Sequence, residues 1–140
     1  METWIIYAII SMIFAGLTSV LAKVGLQNIN ADLGLGIRTL TILIIVSVLI
    51  FSTDKMKDIH QITSKQLLLL ILSGITTSIS WIFYYRAMKE GTVSYVASID
   101  KASILITLMF SFAFLGEPIT PKIIIGGIFI FIGLYILTIL

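Results

Sequence analysis

The sequence predicts an all-α integral membrane protein, a bundle of five transmembrane helices, on three observations. Hydrophobic residues make up 59% of the 140 and charged residues only 11%, with a mean hydropathy of +1.14. A soluble domain of this size could not hide so much apolar surface, because small domains leave much of their surface in water. Five apolar runs, Trp4–Ala22, Leu33–Phe51, Leu67–Tyr85, Val93–Leu115 and Ile123–Leu140, come close to the roughly 20 residues that a spanning helix needs. The runs are continuously apolar and do not alternate in twos, which selects helices over a barrel. They take up nearly the whole chain, which therefore reads as one transmembrane domain over residues 1–140, multi-pass in the cell membrane.

Composition also excludes functions. The chain has no cysteine, so disulfides, thiolate chemistry and cysteine-ligated metals are absent. Its single histidine, His60, falls in a polar connection, so no metal site is expected. No acid pair at catalytic spacing, no nucleophile beside a histidine and no phosphate loop is present, which argues against an enzyme and against a cofactor. The net charge of +2 comes from scattered basic residues at membrane flanks, without the basic block that nucleic acid would call for.

The first run is read as a retained helix. Glu2 stands where a signal peptide would be basic, and the apolar stretch is as long as a span. Ser11, Ala15 and Ser19 repeat every four residues along it, and Lys23 is the next step on that face. Residues 25–32 form a turn. Arg38 then lies about six residues into the second helix. The connection from Ser52 to Lys65 carries Met56, Ile59 and Ile62 at three-residue spacing, which predicts a short helical turn on the membrane surface. Thr63 or Ser64 is the expected N-cap of the third helix. That helix carries small pairs four apart, Gly74 with Ser78 and Thr76 with Ser80, and ends in Trp81, Tyr84, Tyr85 and Arg86. Lys89 to Thr92 reads as the next turn. Gly116-Glu117-Pro118 breaks the fourth helix, and Pro121 stands near the start of the fifth. Trp4 and Tyr7 at one membrane face, with Tyr84, Tyr85, Tyr95 and Tyr135 nearer the other, fit aromatic belts. Gly126 and Gly133, seven apart on one face of the fifth helix, are the candidate subunit interface.

The fourth run holds the most unusual feature, Asp100 beside Lys101 roughly 10 Å inside the membrane. Ionised groups at that depth are costly and mark a substrate path, a proton relay or a buried ion pair. On an ideal helix Asp100, Ser103, Thr107 and Ser111 fall within about 80°, while Lys101 points about 100° away. Asp100 is therefore expected to face partners on other helices. Lys23, Arg38 and Arg86 all come from the same membrane side, which gives one acid and four bases there, with Trp81 and Tyr84 close in sequence. Two readings stand. In one, Asp100 pairs with Arg38 or Lys23 as a structural lock, and the serines and threonines bond their own backbone. In the other, the cluster lines a water-filled cavity that contacts a small-molecule substrate or a coupling proton, its excess positive charge favouring an anionic or zwitterionic ligand.

Orientation is set by lysine and arginine bias. Lys55, Lys57, Lys65 and Lys122 lie on the N-terminal side, against Lys23, Arg86 and Lys89 on the other, with Arg38 and Lys101 embedded. This is almost no bias. Either a weak preference inserts the chain one way, or it inserts both ways and pairs antiparallel, completing an inverted repeat from two copies.

Four segments resemble one family in order and spacing. They are Ala22-Lys23-Val24-Gly25-Leu26; Ile37-Arg38-Thr39; Phe83-Tyr84-Tyr85-Arg86-Ala87-Met88-Lys89-Glu90-Gly91; and Ser98-Ile99-Asp100-Lys101-Ala102-Ser103 with Phe114-Leu115-Gly116-Glu117. The chain is similar over nearly its whole length to a single EamA-type domain of the drug/metabolite transporter superfamily, in its short five-helix form. The resemblance implies an exporter or permease of a small polar metabolite or drug, working by alternating access. Relatives with two fused domains of opposite topology imply that here a homodimer supplies the second half, antiparallel in one arrangement. Lys23, Arg38, Trp81, Tyr84, Arg86, Asp100, Lys101, Ser103 and Thr107 are the cavity candidates. Ser98 stands where the family usually has proline, which leaves a kink there unsupported. The other reading is a non-transporting membrane subunit that partners another half-transporter or a membrane enzyme.

Overall fold

A computed structural model describes residues 2–139; Met1 and Leu140, the ends of the expected domain, lie outside the described residues. Among the described residues, six α-helices and one π-helical turn make up five candidate membrane spans. The helices are α1 Thr3–Gly25, α2 Ala31–Ser52, α3 Ser64–Glu90, α4 Val93–Lys101, α5 Ser103–Phe110 and α6 Pro121–Ile139. The chain divides into two compact units, Met1–Glu90 and Gly91–Leu140.

In the first unit α3 packs against both α1 and α2. The helices run further than the apolar stretches alone indicate, because polar residues at their ends find local partners. At the start of α2 the Asn30 side-chain oxygen accepts from the Asp32 and Leu33 N–H groups at 2.8 and 3.3 Å, capping two orphan donors. Helix α2 therefore begins at Ala31, and Asp32 belongs to its first turn and not to the preceding connection. Asn28 takes up the left-handed backbone of that turn at φ 60, a conformation asparagine tolerates. At the start of α3 the expected cap is Thr63: its hydroxyl oxygen accepts from the Gln66 N–H at 3.3 Å, and Gln66 Oε1 accepts from the Thr63 N–H at 2.9 Å. This reciprocal pair is a capping box. Helix α3 runs on through Lys89 and Glu90, so only Gly91 and Thr92 remain as the turn.

The most buried side chains of this unit are Leu26, Ala31, Tyr85 and Met88, with Ser19 one level deeper along α1. They gather where α1 ends, α2 begins and α3 ends. Gly34 lies against Leu26: a Cβ built there would lie 2.5 Å from Leu26 Cδ2, so any side chain at that position would make the Leu26 side chain shift. Tyr84 and Tyr85, expected in an interfacial belt, belong to this interior. Tyr85 is 3% exposed, and the Tyr84 hydroxyl donates to Ser19 Oγ at 2.8 Å. A tyrosine this well packed gains more from covered area plus one satisfied hydroxyl than from the headgroup layer.

In the second unit α4 packs against α6. The fourth span is interrupted, which the sequence did not indicate. The Ala102 N–H donates to the Ile99 carbonyl and the Leu105 N–H to the Ala102 carbonyl, both three residues back at 3.0 Å. These tighter bonds end α4 at Lys101 and start α5 at Ser103, with no proline involved. A second irregularity follows, a π-helical turn at Ser111–Leu115, closed by Gly116 at φ 65. Glycine carries that left-handed backbone without steric cost. Pro121 is the first residue of α6, where its missing N–H is harmless.

Candidate functional site

The first unit brings Arg38, Trp81, Tyr84 and Tyr85 together in one cluster. Arg38 on α2 and Trp81 on α3 face each other because these helices pack side by side. The Arg38 guanidinium carbon lies 3.4 Å from the centroid of the Trp81 ring and 5.8 Å from that of Tyr85. Trp81, Tyr84 and Tyr85 hold one another by edge and tilted contacts, with centroids 5.5 to 6.3 Å apart. Stacking stabilises the cation through the ring faces, by about 2 kcal/mol or more in a desolvated setting.

The stack leaves the donors of Arg38 unused. A guanidinium carries its five N–H groups on its edges, in the plane that stacking does not touch. Among the described residues of this unit, Arg38 has neither a carboxylate within 4 Å nor a hydrogen bond to the protein. Beside it opens a pocket of about 370 Å³ lined by Thr18, Leu21, Ile29, Ile37, Arg38 and Tyr85, with small residues of α1 and the Gly34 backbone. The pocket is mostly apolar, with one fixed positive charge. Its chemistry suits a small molecule that joins an anionic group to an apolar body.

Two further bases of this unit that were expected in the cavity, Lys23 and Arg86, make contacts between helix ends. Lys23 Nζ donates to the Met88 carbonyl at 2.7 Å and to the Lys89 carbonyl at 3.3 Å. Lys89 Nζ donates in return to the Leu26 carbonyl at 2.7 Å. Each lysine thus caps the C-terminal carbonyls of the other's helix, where orphan acceptors and the negative end of the dipole favour a cation. Arg86 grips Asp32 in a fork, Nε to Oδ1 at 3.0 Å and NH2 to Oδ2 at 2.9 Å, linking α3 to the first turn of α2. Asp32 is a further acid at this end of the helices, in the first turn of α2. The missed signal was Asn30: an asparagine cap two residues earlier places Asp32 inside the helix.

In the second unit Asp100 takes Lys101 as its ion-pair partner, Nζ to Oδ2 at 3.3 Å. This corrects the expectation that the two adjacent charges have different neighbours. The helix wheel fixes where each Cβ points, but the four-carbon lysine stem spans the angular gap, and α4 ends at this residue. Thr107 Oγ1 donates to the Ser103 carbonyl at 3.0 Å, so its hydroxyl proton is engaged by its own helix. Asp100, Lys101 and Ser103 flank the break at Ala102.

The sequence profile of the EamA-like transporter family matches residues 2–139. A protein from Sinorhizobium sp., described as an uncharacterized transporter in the cobO 3' region, is 37% identical over 138 residues, covering 99% of this chain and 98% of that one. No solved structure matches the chain.

Proposed function

This chain belongs to the EamA-like transporter family, and from that premise we propose that it carries small molecules bearing an anionic group, by alternating access, as a homodimer. The observation that carries the substrate class is Arg38. Its charge is held by the Trp81 face while its hydrogen-bonding edge has no protein acceptor in its unit. An arginine in that state is stabilised further by an incoming carboxylate or phosphate. The pocket beside it, about 370 Å³, has room for a group of metabolite size. The tightened turn at Ala102 lies next to the Asp100–Lys101 pair.

The proposal places dimerisation on the Gly126–Gly133 face of α6. A Cβ at Gly126 or Gly133 would meet nothing within 4 Å, whereas one at Gly127 would touch Leu108 of α5 at 3.7 Å. Gly127 packs against α5, and the open Cβ positions at Gly126 and Gly133 would let a second helix approach closely. The near-equal lysine and arginine counts on the two sides fit an antiparallel pair.

Uptake into proteoliposomes containing only this chain tests the function. Flux is expected for small organic anions and zwitterions with an apolar body, competed by one another and not by cationic amines of equal size. No flux across such a panel would favour the reading as a subunit without transport of its own. For the dimer, Gly126→Leu with Gly133→Leu should shift the detergent-solubilised protein from dimer to monomer in light scattering. An unchanged mass would remove α6 as the interface.

A further inference from the structure

One feature of the first unit has no part in the pocket or the helix ties, the connection between α2 and α3. Helix α2 ends at Ser52 and α3 begins at Ser64, and both are long and apolar enough to span the membrane. The intervening residues are therefore held at the bilayer surface. They form a 3₁₀ helix, Lys55–Gln61, opened by Asp54 in the left-handed region at φ 55. A 3₁₀ helix has 3.0 residues per turn, so side chains three apart stand in one row. Met56 and Ile59 fall in one such row, and Ile62 follows at the same interval just past its end. The protein leaves this row bare: Met56, Ile59 and Ile62 are 44%, 53% and 44% exposed.

We propose that this row is a phospholipid-docking edge, which lays the connection flat on the bilayer with Met56, Ile59 and Ile62 in the glycerol and upper acyl region. Two observations select lipid over a protein partner. A single row of three side chains falls far short of the roughly 800 Å² per partner that a stable protein interface buries, whereas a bilayer is already present at both ends of the segment. Lys55 and Lys65 flank the row without a carboxylate within 4 Å among the described residues, so their charges are available to lipid phosphates. Lys57, in a different row, is occupied by Asp54 at 3.2 Å. Apolar side chains beside unpaired lysines are the composition of segments that lie in the interface plane. The consequence is mechanical. A connection fixed at headgroup depth holds the ends of α2 and α3 level, and these two helices carry Arg38 and Trp81.

The chain has no native cysteine, which makes site-directed spin labelling direct. Met56→Cys, Ile59→Cys, Ile62→Cys, Lys57→Cys and His60→Cys are labelled with a nitroxide in vesicles of phosphatidylethanolamine and phosphatidylglycerol. Collision rates with oxygen, which concentrates in the bilayer, and with a water-soluble nickel chelate are then compared. Labels at 56, 59 and 62 should collide severalfold more with oxygen and less with nickel than labels at 57 and 60. Uniform nickel accessibility at all five positions, or oxygen preference without the three-residue period, would overturn the proposal. Labels at 56, 59 and 62 immobilised in the spectrum and shielded from both reagents would overturn it too, by revealing a protein partner.

Discussion

Arg38→Ala is expected to lower transport at least about 30-fold while leaving the protein folded. Removing one partner of a desolvated, hydrogen-bonded charge pair costs about 2–5 kcal/mol, and each 1.4 kcal/mol is about tenfold. The comparison with Arg38→Lys is informative because it keeps the charge. An ammonium is a compact point charge that cannot stack flat on Trp81 or present a fork to a carboxylate, so intermediate activity with weakened substrate affinity is expected. Trp81→Leu should resemble Arg38→Lys, since it removes the ring that holds the guanidinium in place. Initial rates of uptake over a range of substrate concentrations separate the cases. If Arg38→Ala transports normally, the anion-binding role fails and the stack is structural only.

Lys23→Met and Lys89→Met should destabilise the protein without removing substrate specificity. Methionine keeps most of the side-chain length but withdraws the charged donor from the Met88, Lys89 and Leu26 carbonyls. Losing a hydrogen bond from a charged group costs on the order of 1–3 kcal/mol, more where the abandoned carbonyl has no water. Each variant should therefore lower Tm in detergent by several degrees. Because both lysines tie the same two helix ends, the double variant should lose less than the sum of the singles. The contrast with Arg38→Ala is the purpose of the experiment. A Lys23→Met protein with unchanged Tm but abolished uptake would return Lys23 to the substrate site.

In this chain the residues dictate the structure wherever a single physical term dominates. Apolar content and run length produced five spans, because the cost of exposing backbone and charge to lipid admits few alternatives. Thr63, Pro121 and Gly116 marked helix ends through strictly local geometry, and each stands where such a residue is expected. The period of three at Met56, Ile59 and Ile62 foreshadowed a helix of three residues per turn.

Partner choice was the part that required tertiary structure. From sequence alone Asp100 could face Arg38 or Lys23, since all three lie at similar depth. Folding gives Asp100 its neighbour Lys101, sets Arg38 on Trp81, and turns Lys23 and Lys89 onto carbonyls. Long flexible side chains choose among several acceptors within reach, and differences of a kcal/mol or two, fixed by packing, decide the outcome. The interruption at Ala102 was equally illegible, because a shift from four-residue to three-residue bonding needs no special residue. Sequence by itself determined that the chain crosses the membrane five times with charges inside it. Only the tertiary structure decided that Lys23 and Lys89 reach carbonyls at helix ends while Arg38 stacks on Trp81, because those contacts depend on how the helices pack.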